Sequence, residues 1–161
     1  AVALYPGVAR FQFQLGRSQH KAENFQESVK WYRKSAEQGQ AKAQYNLGKM
    51  IKNGRGVAQD SKAAAKWYRK AAEQGHAKAQ YNLGVRYAKG DGVFKNYIYA
   101  YMWLDVSASN GHVRAGKSRD ILEERMTVVD KSIAQRLAKV CKKQLNDHIF
   151  SLSELREVFC R

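Results

Sequence analysis

The chain has 161 residues, 27% charged and 44% apolar, with Pro6 its single proline. That is the make-up of a folded soluble protein, one globular domain or one short solenoid. No run approaches the ~20 apolar residues a membrane span needs, and two cysteines, Cys141 and Cys160, are too few for a disulfide framework. The net charge of +15 favours an acidic protein, nucleic acid or anionic surface as partner, with plain solubility as the alternative reading. The excess runs along the whole chain and peaks at +6 over residues 41–76.

Residues 1–7 end in Pro6-Gly7 and read as an extended lead-in. The small residues Ala1-Val2-Ala3 would suit a position just past a cleavage site. A helix is expected over residues 8–20. Asn24, with Glu27 three places on, then reads as a capping box. It opens a second helix that carries Phe25, Val29, Trp31, Tyr32 and Ala36 and stops at Gly39. The next unit is clearest. A helix over 41–52 meets the loop Asn53-Gly54-Arg55-Gly56-Val57-Ala58-Gln59, and Asp60 or Ser61 caps a partner helix that ends at Gln74-Gly75. The unit after it repeats the plan: a helix from Ala77, the loop Gly90-Asp91-Gly92-Val93, and a helix over 96–110. The first helix of each hairpin is termed A and the second B. One more helix is expected over 113–125. Another starts at Thr127 and runs to about residue 145, with Ile133, Leu137, Val140 and Cys141 on one side. Ser151 with Glu154 forms a last capping box before a short helix over 152–159.

A fixed period organises these elements. Trp67-Tyr68-Arg69-Lys70 repeats Trp31-Tyr32-Arg33-Lys34 at 36 residues, Gly39, Gly75 and Gly111 fall in the same phase, and Trp103 marks a worn third copy. The first unit is shorter, since Gly16 precedes Gly48 by 32 residues. Gly48 and Gly84 lie mid-helix, where glycine costs up to about 1 kcal/mol relative to alanine. Their recurrence after Leu47 and Leu83 predicts a neighbouring helix at close range. One short hairpin cannot bury its aromatic residues alone. Trp31, Trp67, Trp103, Tyr32 and Tyr68 are therefore expected in a core shared between stacked repeats, not in a ligand box.

The run Ala41-Lys42-Ala43-Gln44-Tyr45-Asn46-Leu47-Gly48, then Gly54-x-Gly56-Val57, then Lys62-Ala63 and Trp67-Tyr68-Arg69-Lys70-Ala71-Ala72-Glu73-Gln74-Gly75, resembles the Sel1-like repeat family. That family is a variant of tetratricopeptide repeats with a longer loop between helices A and B. The likeness extends over residues 77–111. The first unit lacks the Gly-x-Gly-Val loop and is more similar to a tetratricopeptide unit, and residues 119–138 look like the terminal cap of bacterial members. The resemblance implies an all-α, right-handed α-solenoid with a C-terminal helical cap. Its divisions would be a lead-in at 1–7, a tetratricopeptide-like repeat at 8–39, Sel1-like repeats at 40–75 and 76–111, and capping helices at 112–161. It implies a protein-binding or scaffolding role and no reaction. Cys141 and Cys160 are similar to the terminal cysteine pair of some extracytoplasmic relatives. They read as a disulfide closing the cap in a periplasmic or secreted protein, or else as a buried thiol and a free tail thiol in the cytoplasm.

Gly111-His112-Val113-Arg114-Ala115-Gly116-Lys117-Ser118 fits the phosphate-loop string. That chemistry needs a strand feeding a glycine-rich turn, whereas here a helix precedes it and Gly111 is already explained as a repeat glycine. His20, His76, His112 and His148 lie far apart without metal-ligand spacing, His76 and His112 being expected to face solvent. Neither cysteine sits in a nucleophile–base arrangement. No cofactor, metal or small-molecule substrate is expected, and no enzyme.

In tetratricopeptide proteins one face of each A helix lines the concave surface. Carried over, that face is Lys42, Tyr45, Lys49 and Lys52 in the clearest unit, and Lys78, Tyr81, Val85 and Lys89 with Asn82 beside them in the next. In the first unit it is Arg10, Phe13 and Arg17 with His20 or Lys21. Steps of three and four residues keep each set on one side of a helix. The expectation is a basic, aromatic-floored groove for an acidic or mixed acidic and apolar polypeptide, in an adaptor, an assembly factor or an inhibitor of a partner protein. The rival is single-stranded nucleic acid, which the charge and interleaved aromatic rings would also suit.

Overall fold

A computed structural model describes residues 6–147, and among these the chain forms α-helices and no strand. They are α1 (Pro6–Lys21), α2 (Phe25–Glu37), α3 (Ala41–Asn53), α4 (Ser61–Glu73), α5 (Ala77–Lys89), α6 (Tyr97–Ser109), α7 (Ala115–Glu123) and α8 (Val128–Asn146). The fold class is all-α, built of tandem helical hairpins, as the sequence predicts. The chain divides into two compact units, one ending at Ala71 and one starting at Ala72. The capping box at Ser151, the helix over 152–159, His148 and Cys160, and with Cys160 the disulfide pairing, lie outside the described residues.

In the first unit α1 begins at Pro6, so Pro6 and Gly7 are helical and not part of an extended lead-in. Proline suits a first turn because its missing N–H has no helical partner there anyway. Only three residues separate α1 from α2, against seven between α3 and α4. Those four residues account for the shortened first period. The tight turn leaves Glu23 at φ 60° and alters the expected capping box. Asn24 does occupy the N-cap, but its side chain caps nothing, and its Nδ2 donates back to Gln19 Oε1 at 3.0 Å. Glu27 pairs with Lys30 instead. Elsewhere caps are made in the expected way: Asp60 Oδ1 accepts from Ala63 N at 2.9 Å, and Gln40 Oε1 accepts from Ala43 N at 2.8 Å.

The glycine expectation holds, and the close helix is the B helix of the same hairpin. A Cβ on Gly48 would lie 3.1 Å from the Tyr68 ring and 3.3 Å from Ala64 O. One on Gly16 would lie 2.6 Å from the Tyr32 ring. Tyr32 and Tyr68 are buried, at 3% and 0% exposure. Trp31 and Trp67 are not: each is half-buried, with Lys34 Nζ and Lys70 Nζ standing 4.6 Å from their ring centroids. The recurring Tyr points into the hairpin, and the preceding Trp, one position back on the helix, is left half-buried. Packing of α2 on α3 is pinned by Gln44, whose buried amide donates to Ala36 O at 3.1 Å. Ala36 O also accepts from Gly39 N at 3.0 Å, so the Gln44 amide is a second donor on the last turn of α2.

In the second unit α5 and α6 make the same hairpin. A Cβ on Gly84 would lie 2.9 Å from Leu104 and 3.2 Å from Ala100 O. Asn96 caps α6 through Tyr99 N at 3.0 Å, and Thr127 caps α8 through Asp130 N at 3.1 Å. Gln80 repeats the role of Gln44, donating to Ala72 O at 3.0 Å. Unlike α2, α6 is apolar around its circumference, because α5, α7 and α8 all pack on it. Trp103 is accordingly fully buried. Asp105 ties the three helices together: its carboxylate accepts from Arg119 Nη1 of α7 at 2.6 Å and from Lys142 Nζ of α8 at 2.5 Å. Gly111 closes α6 at φ 84° and Gly116 lies inside α7, so the phosphate-loop string has neither the strand nor the turn its chemistry requires.

Candidate protein-interaction surface

The A helices α1, α3 and α5 share a composition that the B helices lack. Each carries three Lys or Arg and no Asp or Glu. Arg10, Arg17 and Lys21 of α1, Lys42, Lys49 and Lys52 of α3, and Lys78 and Lys89 of α5 are all exposed. Only Arg86 is buried, at 3% exposure, and it is neutralised by Asp91 at 3.1 Å.

The aromatic residues between these cations are less exposed than the sequence suggests. Phe13 is buried at 7% exposure, which removes it from the proposed groove floor. Gly16 lets Tyr32 close on α1, and Phe13 packs on that ring at 5.9 Å between centroids, inside the hairpin. Tyr45 is half-buried and leans on Tyr68 at 5.9 Å. Tyr81 is half-buried and stacks on His112 at 4.3 Å and 16°. Val85 and Tyr81 both pack against the core of the second unit, and Asn82 beside them is half-buried. His20 is half-buried, edge-on to Phe25 at 5.4 Å. The A-helix faces are thus cationic rims over partly covered rings.

Neither repeat histidine faces solvent freely. His76 is the N-cap of α5, its Nδ1 accepting from Ala79 N at 3.3 Å. His112 lies against Tyr81, and burial, reinforced by Lys78 and Arg114, holds it below the ordinary imidazole value.

In the first unit the A-helix cations converge on a cleft of about 250 Å³. Arg17, His20 and Lys21 line it from α1, Asn46, Lys49 and Met50 from α3, and Tyr32 from α2. Asn53 at the end of α3 and Arg55 in the loop after it complete the lining. Gly54 and Gly56 hold that loop at φ 64° and 70°. A Cβ on Gly56 would overlap the Phe25 carbonyl, so the loop rests directly on the start of α2. Arg55 lies over the Phe25 ring at 5.8 Å, and Arg17 over Phe13 at 5.9 Å. Burial pushes the Tyr32 phenol up, with Ser28, Asn46 and Arg17 acting in the opposite sense. No carboxylate lines the cleft.

Of the cleft's lining, the sequence pattern places Arg17, Lys49 and His20 or Lys21 on the A-helix faces but gives no site role to Arg55, Asn46 or Tyr32. Tyr32 is expected there only as core, and the loop after α3 only as a connection. The signal lay in the period: Met50 and Arg55 correspond to Arg86 and Asp91, where the second hairpin has an ion pair instead of an unpaired cation.

A profile of the Sel1 repeat matches residues 10–40, 41–76 and 77–112. Among solved structures, the chain is similar to a protective antigen present in uropathogenic Escherichia coli strains that displays an SLR fold. The identity is 34% and the TM-score 0.82, over 88% of this chain and 31% of that one. It is also similar to a Sel1 repeat protein from Oxalobacter formigenes, at 39% identity and a TM-score of 0.66, over 70% of this chain and 48% of that one. This chain therefore spans about a third and about half of those two proteins. No curated protein matches it.

Proposed function

The chain belongs to the Sel1 repeat family, whose members are generally non-catalytic protein-interaction modules, and from that premise we propose that it binds a polypeptide rich in acidic side chains along its A-helix faces. The observation that carries the reading is the complete lack of carboxylates on α1, α3 and α5, each with three cations. Arg10, Arg17, Lys42, Lys49 and Lys52 would steer and pair with carboxylates in the first unit, and Lys78 and Lys89 in the second. Arginine does so through a planar fork and lysine as a point charge. The half-buried Tyr45 and Tyr81 supply flat apolar area beside the cations; Phe13 does not take part.

Binding of the full chain to an acidic peptide and to a single-stranded oligonucleotide, each titrated with salt, tests this. Rim charges act chiefly on association and are screened by salt, whereas a central aromatic acts on dissociation. Lys49→Ala should slow association at low salt, and Tyr45→Ala should speed dissociation with little change of salt slope. Lys62→Ala, on the exposed side of α4, should do neither. Binding of the oligonucleotide without the peptide, or equal loss in Lys49→Ala and Lys62→Ala, would reject the reading.

A further inference from the structure

The cleft of the first unit holds more positive charge than a single carboxylate can neutralise. Arg17, Lys21, Lys49 and Arg55 border one space of about 250 Å³, and none of the four has an ion-pair partner among the described residues. Like charges gathered in this way destabilise the unit unless an anion joins them. Both guanidinium groups lie over aromatic rings, Arg17 on Phe13 and Arg55 on Phe25. Arg17 uses one donor, Nη1, on Gln14 Oε1 at 3.4 Å, and a guanidinium carries further N–H donors that an oxyanion can engage. The neutral groups Asn46 and Tyr32 add hydrogen-bonding capacity at the same place.

Comparison of the two hairpins isolates the feature. In the second, the residues at the positions of Met50 and Arg55 are Arg86 and Asp91, joined at 3.1 Å. Lys49 corresponds to Val85. The same backbone is thus charge-compensated internally in one hairpin and left cationic in the other. The loop glycines are common to both, so turn formation does not account for the difference.

We infer that this cleft is a binding site for a phosphate monoester dianion, carried on a side chain of the bound polypeptide. A phosphoryl group brings close to two negative charges and three acceptor oxygens, which match two arginine forks and two lysines better than one carboxylate does. The cleft has room for one such group with its attached atoms, not for a folded element. The inference rests on the peptide-binding reading for its source, and on the cleft alone for its chemistry.

The first probe is inorganic phosphate, titrated into the full chain at constant ionic strength against chloride and followed by backbone amide shifts and by melting temperature. Saturable shifts at Asn46, Lys49 and Arg55 are expected, with stabilisation that grows with ligand concentration. Arg55→Asp should weaken binding by about tenfold or more, as loss of a charged partner does. The double change Met50→Arg with Arg55→Asp installs the ion pair of the second hairpin, so that the loop becomes compensated internally, and should weaken binding equally. Lys62→Gln should stay within about twofold of wild type. Absence of saturable shifts, or unchanged affinity in the folded double variant, would overturn the site. The second probe is a phosphoserine peptide beside the same peptide with glutamate. Tighter binding of the phosphopeptide, lost with Arg55→Asp, is the expected result. If inorganic phosphate binds but phosphorylation adds nothing to the peptide, the polypeptide source is wrong. If both peptides bind alike, depending on Lys49 but not on Arg55, the acidic-peptide reading stands and this inference falls.

Discussion

Trp103 and Trp67 occupy the same place in the repeat, yet their surroundings differ. Trp103 is fully buried beneath the helices that pack on α6, whereas Trp67 is half-buried and carries Lys70 on its ring. Trp103→Ala should therefore cost about 3–5 kcal/mol, as truncation of a large buried aromatic does. Trp67→Ala should cost clearly less. Urea melts of the two variants check the order, and equal losses would contradict it. His112 gives a second prediction at this scale, in pH. Its folded pKa lies below the ordinary 6.5, chiefly through burial and then through Lys78 and Arg114. At mildly acidic pH the unfolded chain binds a proton that the folded chain does not. Stability therefore rises with pH across the window from the folded value up to 6.5, and falls as pH is lowered through it. Replacing His112 with Phe should flatten that part of the profile of denaturation midpoint against pH while keeping a ring on Tyr81. A profile as steep as wild type would exclude His112 as the source.

At the scale of elements, the loop after α3 carries most of the first unit's individuality. Gly56 combines a left-handed backbone with direct contact on the Phe25 carbonyl. An alanine there would meet about 1–3 kcal/mol of backbone strain, and the overlap with α2 would add to it. Gly56→Ala should thus lower the melting temperature and displace Arg55, visible as altered amide shifts at Phe25 and Arg55. Gly39→Ala shares the left-handed strain at φ 88° but has open space around its Cβ, so it should cost less. The helices were legible in the sequence because caps and glycines are local signals. Asp60, Asn96 and Thr127 cap where their sequence positions indicate. Asn24 did not conform, because a three-residue turn brings Gln19 within reach of its amide, a contact across the turn that no capping pattern encodes.

Over the whole molecule, the 36-residue period and its runs of small, aromatic and cationic residues were enough to determine an all-α fold of tandem hairpins, the positions of the tight interhelical contacts, and a strongly basic surface. Those properties follow from residue type and spacing, which the repeat preserves from copy to copy. Burial does not follow from spacing. Phe13 and Tyr45 recur at equivalent places and each packs on the tyrosine of its own hairpin, yet Phe13 is buried and Tyr45 only half-buried. Trp67 and Trp103 part because α7 and α8 pack on α6. The fate of a cation is likewise set by its neighbours. Arg86 is buried with Asp91 reaching it, and the first hairpin has Met50 and Arg55 at those two places, a neutral residue and a cation that borders an uncompensated cleft. Periodicity determined which residues recur, and only the tertiary structure decided which of them are covered, paired or left facing a ligand, because those outcomes depend on contacts between elements distant in sequence.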